Sequence, residues 1–134
     1  MWVFTRYGFF SIACGNKADG KLDAETVMVR ARLREHLKAL QERFAETEIG
    51  KAEILNWSQR DYRYRIVVPK TAWAAALTEM AMEQTWSNFK NEAGRFARIK
   101  NMAYGYVDAL HSVWEVMYGL QGRSVDGRDT FRAG

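Results

Sequence analysis

Arginine recurs at every second position in two short stretches of this chain: Arg30 and Arg32 in Val-Arg-Ala-Arg, and Arg63 and Arg65 in Tyr-Arg-Tyr-Arg. A guanidinium stays charged and presents a planar fork of donors, so carboxylates and phosphates are its natural partners. The spacing matters because alternate side chains of a strand point to opposite faces. With Val27, Val29 and Ala31 turned into a core, Met28, Arg30 and Arg32 emerge on the other side. By the same rule Arg63 and Arg65 turn away from Tyr62, Tyr64 and Ile66. Four guanidiniums on one sheet face repel unless acids or an anionic partner intervene. Glu53, alternating with Ile54, supplies one counter-charge. Two readings of that face stand side by side: the solvated polar side of an antiparallel sheet, or a docking surface for a polyanion or an acidic protein.

A second basic concentration comprises Lys90, Arg95, Arg98 and Lys100, opposed by Glu92 and accompanied by Trp86, Phe89 and Phe96. Basic plus aromatic suits single-stranded nucleic acid; the same rings also serve to pin a helical elbow to a core. Residues 6–12, Arg-Tyr-Gly-Phe-Phe-Ser-Ile, echo the aromatic strand of RNA-recognition domains, but the glycine is displaced by one position. Those rings read as structural.

Catalytic patterns are missing. His36 and His111 do not have zinc-ligand spacing. Each reads as a helix-surface residue, His36 beside Glu35 and His111 four positions before Glu115. Cys14 ends an apolar strand with no neighbouring His or Lys in sequence and reads as a buried, inert thiol. No nucleophile elbow, phosphate loop or dinucleotide fingerprint occurs. The paired acids Glu46/Glu48 and Asp126/Asp129 fall in loops with no apolar wall to raise a pKa. The expectation is a protein that is not an enzyme and needs no cofactor or metal.

Composition sets the scale for whatever holds these side chains. The 134 residues are 48% hydrophobic and 27% charged, which excludes disordered and low-complexity chains. Five tryptophans, six tyrosines and seven phenylalanines imply a core built largely from rings. The net charge of +4 is compatible with an anionic partner. A single cysteine leaves no internal disulfide and points to a reducing, cytoplasmic setting. No apolar run reaches membrane-spanning length and no signal-peptide pattern opens the sequence.

The elements follow from periodicity. Residues 2–14 read as one long strand bent at Gly8, in preference to a hairpin at residues 6–8. Residues 15–20 are a loop, 26–32 a strand, and Leu33, Leu37, Leu40 and Phe44 mark an amphipathic helix. After a connection over 45–51 come strands over 52–58 and 62–69, the second stopped by Pro69. Thr71 caps a helix over 72–84, and Ser87 or Asn88 caps a further turn or two. A helix over 100–120 carries an inner stripe of Met102, Tyr106, Leu110, Val113, Met117 and Leu120. The expected fold is an α+β sandwich of ββαββα type: a four-stranded antiparallel sheet, helices on one face, and one or two extra C-terminal helices. Residues 1–120 form one domain, and 121–134 a flexible tail.

Five ordered segments resemble a family of small bacterial proteins. They are Met-Trp-x-Phe-Thr-x-x-Gly-Phe-Phe-Ser (1–11), Val-Arg-Ala-Arg with His-Leu-x-Ala-Leu (29–32 and 36–40), the Asp-Tyr strand ending Val-Pro-Lys (61–70), Asn-Phe-Lys-x-Glu (88–92), and Val-Trp-x-x-Met-Tyr-x-Leu-Gln (113–121). The resemblance implies no activity, since none is assigned to that family. Where it usually has acidic and tyrosine residues, this chain has Thr85, Trp86 and Ser87. The functional expectation is a small soluble binding module that meets nucleic acid or an acidic protein surface through Arg30, Arg32, Arg63 and Arg65, with Lys90, Arg95, Arg98 and Lys100 as a second basic patch. The alternative is a protein–protein device, whether a homodimer, an adaptor or an inhibitor encoded by a phage or other mobile element.

Overall fold

The computed structural model describes residues 1–122. The expected tail over 121–134 therefore lies almost wholly outside the described residues. The chain divides into two compact units, Met1–Phe89 and Lys90–Gly134.

The first unit is α+β. Its antiparallel sheet holds five strands among the described residues, one more than expected: β1 (Trp2–Thr5), β2 (Gly8–Ala13), β3 (Thr26–Ala31), β4 (Leu55–Asn56) and β5 (Tyr64–Pro69), in the order β1-β2-β3-β5-β4. The extra strand arises because residues 2–14 do not run as one bent strand. Arg6 and Tyr7 turn a tight hairpin, in which Thr5 Oγ1 accepts the Tyr7 and Gly8 amides at 3.1 Å and donates to the Gly8 carbonyl at 2.9 Å. Gly8 has φ +151°, a conformation that favours glycine. A Cβ there would also collide with the His36 ring.

Three helices belong to this unit: α1 (Arg34–Arg43), the single turn α2 (Glu48–Lys51) and α3 (Lys70–Met82). The second was expected only as connection; Thr47 Oγ1 accepts the Ile49 amide and starts it. The third follows directly on Pro69, without a cap from Thr71. Phe10, Ile12, Val27, Val29, Ala31, Ile66 and Val68 are buried on one side of the sheet, and Leu37, Leu40, Trp73, Ala76 and Met80 are buried on the helices. His36 of α1 lies against Gly8 and 6.4 Å from the Phe10 ring, which fixes the side that α1 covers. The register keeps the faces sorted. Val27 is opposite Val68, Val29 opposite Ile66 and Ala31 opposite Tyr64.

Two strands are shorter than their composition suggests. Only Leu55–Asn56 of the 52–58 stretch joins the ladder, and β5 begins at Tyr64 rather than Tyr62. The residues in between form the loop that returns the chain from β4 to β5.

The second unit contains α5 (Gly105–Gln121) and nearly all of α4 (Phe89–Ile99). The last helix begins five residues later than expected, after Asn101 takes a left-handed φ of +55°. Of its expected inner stripe only Leu110 is buried; Met117 and Leu120 are exposed. No helix among the described residues is long and apolar enough to cross a membrane.

Candidate anion-binding face

The sheet side turned away from α1 is built in cross-strand rows. Trp2 is opposite Ser11, Ser11 opposite Arg30, Arg30 opposite Arg65, and Arg65 opposite Leu55. One row thus carries a tryptophan at one end and two guanidinium-bearing residues near the other. The next row pairs Phe4 with Phe9, and the one on the other side aligns Ala13, Met28 and Val67.

Arg30 is held in place from β2: its Nη2 donates to Ser11 Oγ at 2.8 Å and its Nε to the Ser11 carbonyl at 3.3 Å. Its guanidinium also lies 4.9 Å from the centre of the Tyr62 ring. Arg65 is only 5% exposed, unusual for an arginine. Its Nη2 donates to the Tyr62 carbonyl at 2.7 Å, and the Trp57 ring lies 4.3 Å from its guanidinium carbon. Its Nε is buried with no hydrogen-bond partner. Neither Arg30 nor Arg65 pairs with a carboxylate among the described residues. Burial first, then the charges of Arg30 and Arg60, hold the Arg65 pKa below the ordinary arginine range.

The other expected members stand differently. Arg32 donates to Asp61 Oδ1 at 2.9 Å and lies 4.3 Å from the Tyr62 ring centre. The hydrogen bond to Asp61 raises its pKa. Arg63 donates to Asn56 Oδ1 at 3.0 Å and faces Tyr64, at the β4 end of the sheet. The structure thus places Arg30, Arg32 and Arg65 around Tyr62 and leaves Arg63 apart. Glu53, expected to oppose them, is exposed and pairs with none of them. Tyr62 belongs with the arginines rather than with Ile66, because the ladder has not yet begun at that residue. Its ring lies 6.3 Å from Phe9, which in turn stacks on Phe4 at 4.7 Å and meets Trp2 edge-on at 5.8 Å. Trp2 is 70% exposed, Phe4 38% and Trp57 42%. A continuous aromatic tract therefore runs from β1 to the arginines.

The second basic concentration is separated into individual contacts. Arg95 forms a two-pronged pair with Glu92 at 2.7 and 2.8 Å, and Arg98 donates to the Tyr104 hydroxyl at 3.1 Å. The Lys90 ammonium lies 4.6 Å from the Trp114 ring centre, and that of Lys100 lies 6.0 Å from Phe96. Trp86, expected beside these cations, instead stacks with Arg6 at 5.0 Å.

Elsewhere, His36 is buried rather than paired on the surface with Glu35, and burial pulls its pKa down to about 4. Its Nδ1 accepts the Phe9 amide at 3.3 Å. His111 and Glu115 do meet, at 3.2 Å on exposed surface. Cys14 is half-buried, not buried. No group of three or more His, Cys, Asp or Glu residues suited to a metal occurs among the described residues. The periodicity gave no hint of Glu83, which accepts the Tyr7 hydroxyl at 2.7 Å and pairs with Arg43 at 3.0 Å and Arg6 at 3.5 Å. Burial, followed by that hydrogen bond, raises the Tyr7 pKa. Partners 76 residues apart leave no local signal in sequence.

No family model, curated protein or solved structure matches the chain.

Proposed function

We propose that this chain is a non-enzymatic binding module whose outer sheet face engages an anionic partner, a nucleic acid or an acidic protein surface. Arg30 and Arg65 are its centre, and Arg32 stands at its margin. The observation that carries the reading is the Arg30–Arg65 pair, opposed across the ladder with no carboxylate between them. Like charges placed opposite one another destabilise a sheet, and a buried guanidinium with an unpartnered nitrogen is costly. An incoming anion at Arg30 offsets the first penalty, and the covered Arg65 adds attraction from beneath.

Binding to heparin is expected to weaken steeply as salt rises, and Arg30→Gln to flatten the plot of log affinity against log salt by about one unit. Absence of retention on any polyanion at low salt would sink the proposal.

One observation favours a second reading, a protein–protein device. The last two turns of α5 expose Trp114, Val116, Met117, Tyr118 and Leu120, each 48–71% accessible. Water-facing apolar surface of that density is characteristic of a helix with a partner.

A further inference from the structure

Resting on the anion-binding reading, we infer that the partner of the outer face is a single-stranded nucleic acid. Its bases stack on Trp2 and Phe4, and its backbone phosphate is met by Arg30. Three features of the face carry this.

First, ring and charge share one line. Trp2 and Arg30 belong to the same cross-strand row, with Ser11 between them. Two strand spacings put their backbones about 10 Å apart. An extended nucleotide chain laid across the strands can place a base over the ring while a neighbouring phosphate meets the guanidinium.

Second, the rings rest on Phe9 and remain open to water. The indole of Trp2 is 70% exposed, and Phe4, stacked on Phe9 at 4.7 Å, is still 38% exposed. Every base has a π-face, so such a platform binds single strands with little regard to sequence. A duplex hides those faces in its own stack and offers this row only phosphates. An acidic peptide offers carboxylates to Arg30 but lacks the ring that every nucleotide carries beside its phosphate.

Third, the cation is oriented before the partner arrives. Two donors of Arg30 are fixed on Ser11 and its flank lies against Tyr62, so little side-chain freedom is lost on binding. Arg65, beneath Trp57, adds positive field at the same point without leaving its cover.

The test uses the full chain and three probes: a fluorescently labelled oligothymidylate, the duplex of the same length, and heparin. Single strand is expected to bind at least tenfold tighter than duplex and to quench tryptophan fluorescence. Trp2→Ala and Phe4→Ala should each weaken single-strand binding by about fivefold or more, leaving heparin affinity and its salt slope unchanged. Trp2→Tyr should restore most of the loss, which separates stacking from damage to the fold. Equal affinity for duplex and single strand, or ring variants without effect while heparin still binds, overturns the single-strand inference and leaves the anion-binding reading standing. Polyglutamate outcompeting the oligonucleotide overturns it in favour of an acidic protein. Failure of all the probes to bind removes both.

Discussion

His36 shows how a side chain of the inner layer ties stability to pH. Its ring is buried against Gly8 and accepts the Phe9 amide, so it must be neutral in the folded protein. The folded pKa is about 4, whereas an exposed histidine titrates near 6.5. Between those values the unfolded chain binds a proton that the folded chain refuses, so stability is complete above about pH 6.5 and declines as pH falls toward 4. Urea unfolding at pH 7 and pH 5 should differ by about 2 kcal/mol from this group alone. In His36→Gln that difference should shrink by a similar amount. The sequence showed the histidine on the correct helix but assigned it to solvent. Its helical neighbours Leu37 and Leu40 were readable as core, whereas the glycine that makes room for the ring lies 28 positions earlier. Arg30 was more legible. Strict alternation from Thr26 to Ala31 sorts that strand into two faces without reference to anything distant. Trp57 over Arg65 depends on how a loop folds back, which no local period encodes.

At the level of elements, the outcome follows from how much each segment depends on its neighbours. The strand β3 and the helix α1 formed where periodicity placed them, because each carries its own amphipathic pattern. The segment over 52–58 has strand-like composition yet contributes two ladder residues, since pairing with β5 is lost as the chain turns at Trp57. The opening segment breaks at Arg6 and Tyr7, where Thr5 supplies a side-chain hydrogen-bonded turn that a count of β-formers does not register. That turn is tied to its surroundings by Glu83, which follows the last residue of α3 and reaches Tyr7, Arg6 and, on α1, Arg43. Glu83→Ala removes a carboxylate with low exposure that serves three elements. It is expected to cost about 1–3 kcal/mol, measured by chemical denaturation. A loss under about 0.5 kcal/mol would mean that the contacts behave as ordinary surface pairs.

On the scale of the whole molecule, the α+β class was readable from the order of periodic segments, while the count of strands was not. The exposed C-terminal half of α5 could not be anticipated, because an apolar stripe looks the same whether its partner is in the chain or absent from it. If α5 meets a second copy, sedimentation velocity should show a monomer–dimer equilibrium, and Met117→Lys should shift it to monomer without loss of helix by circular dichroism. A monomer at all concentrations up to about 100 µM, with no effect of the lysine, removes the homodimer form of that reading.

The rims of the sheet have one remaining consequence. The strand β1 offers four residues, and on the far rim β4 covers β5 only as far as Arg65 while Pro69 ends it, leaving three positions between. Neither stretch is long enough to seed stacking of one molecule on the next into fibrils. Brevity at both borders limits edge-to-edge strand pairing on a face that keeps so many rings in view of water.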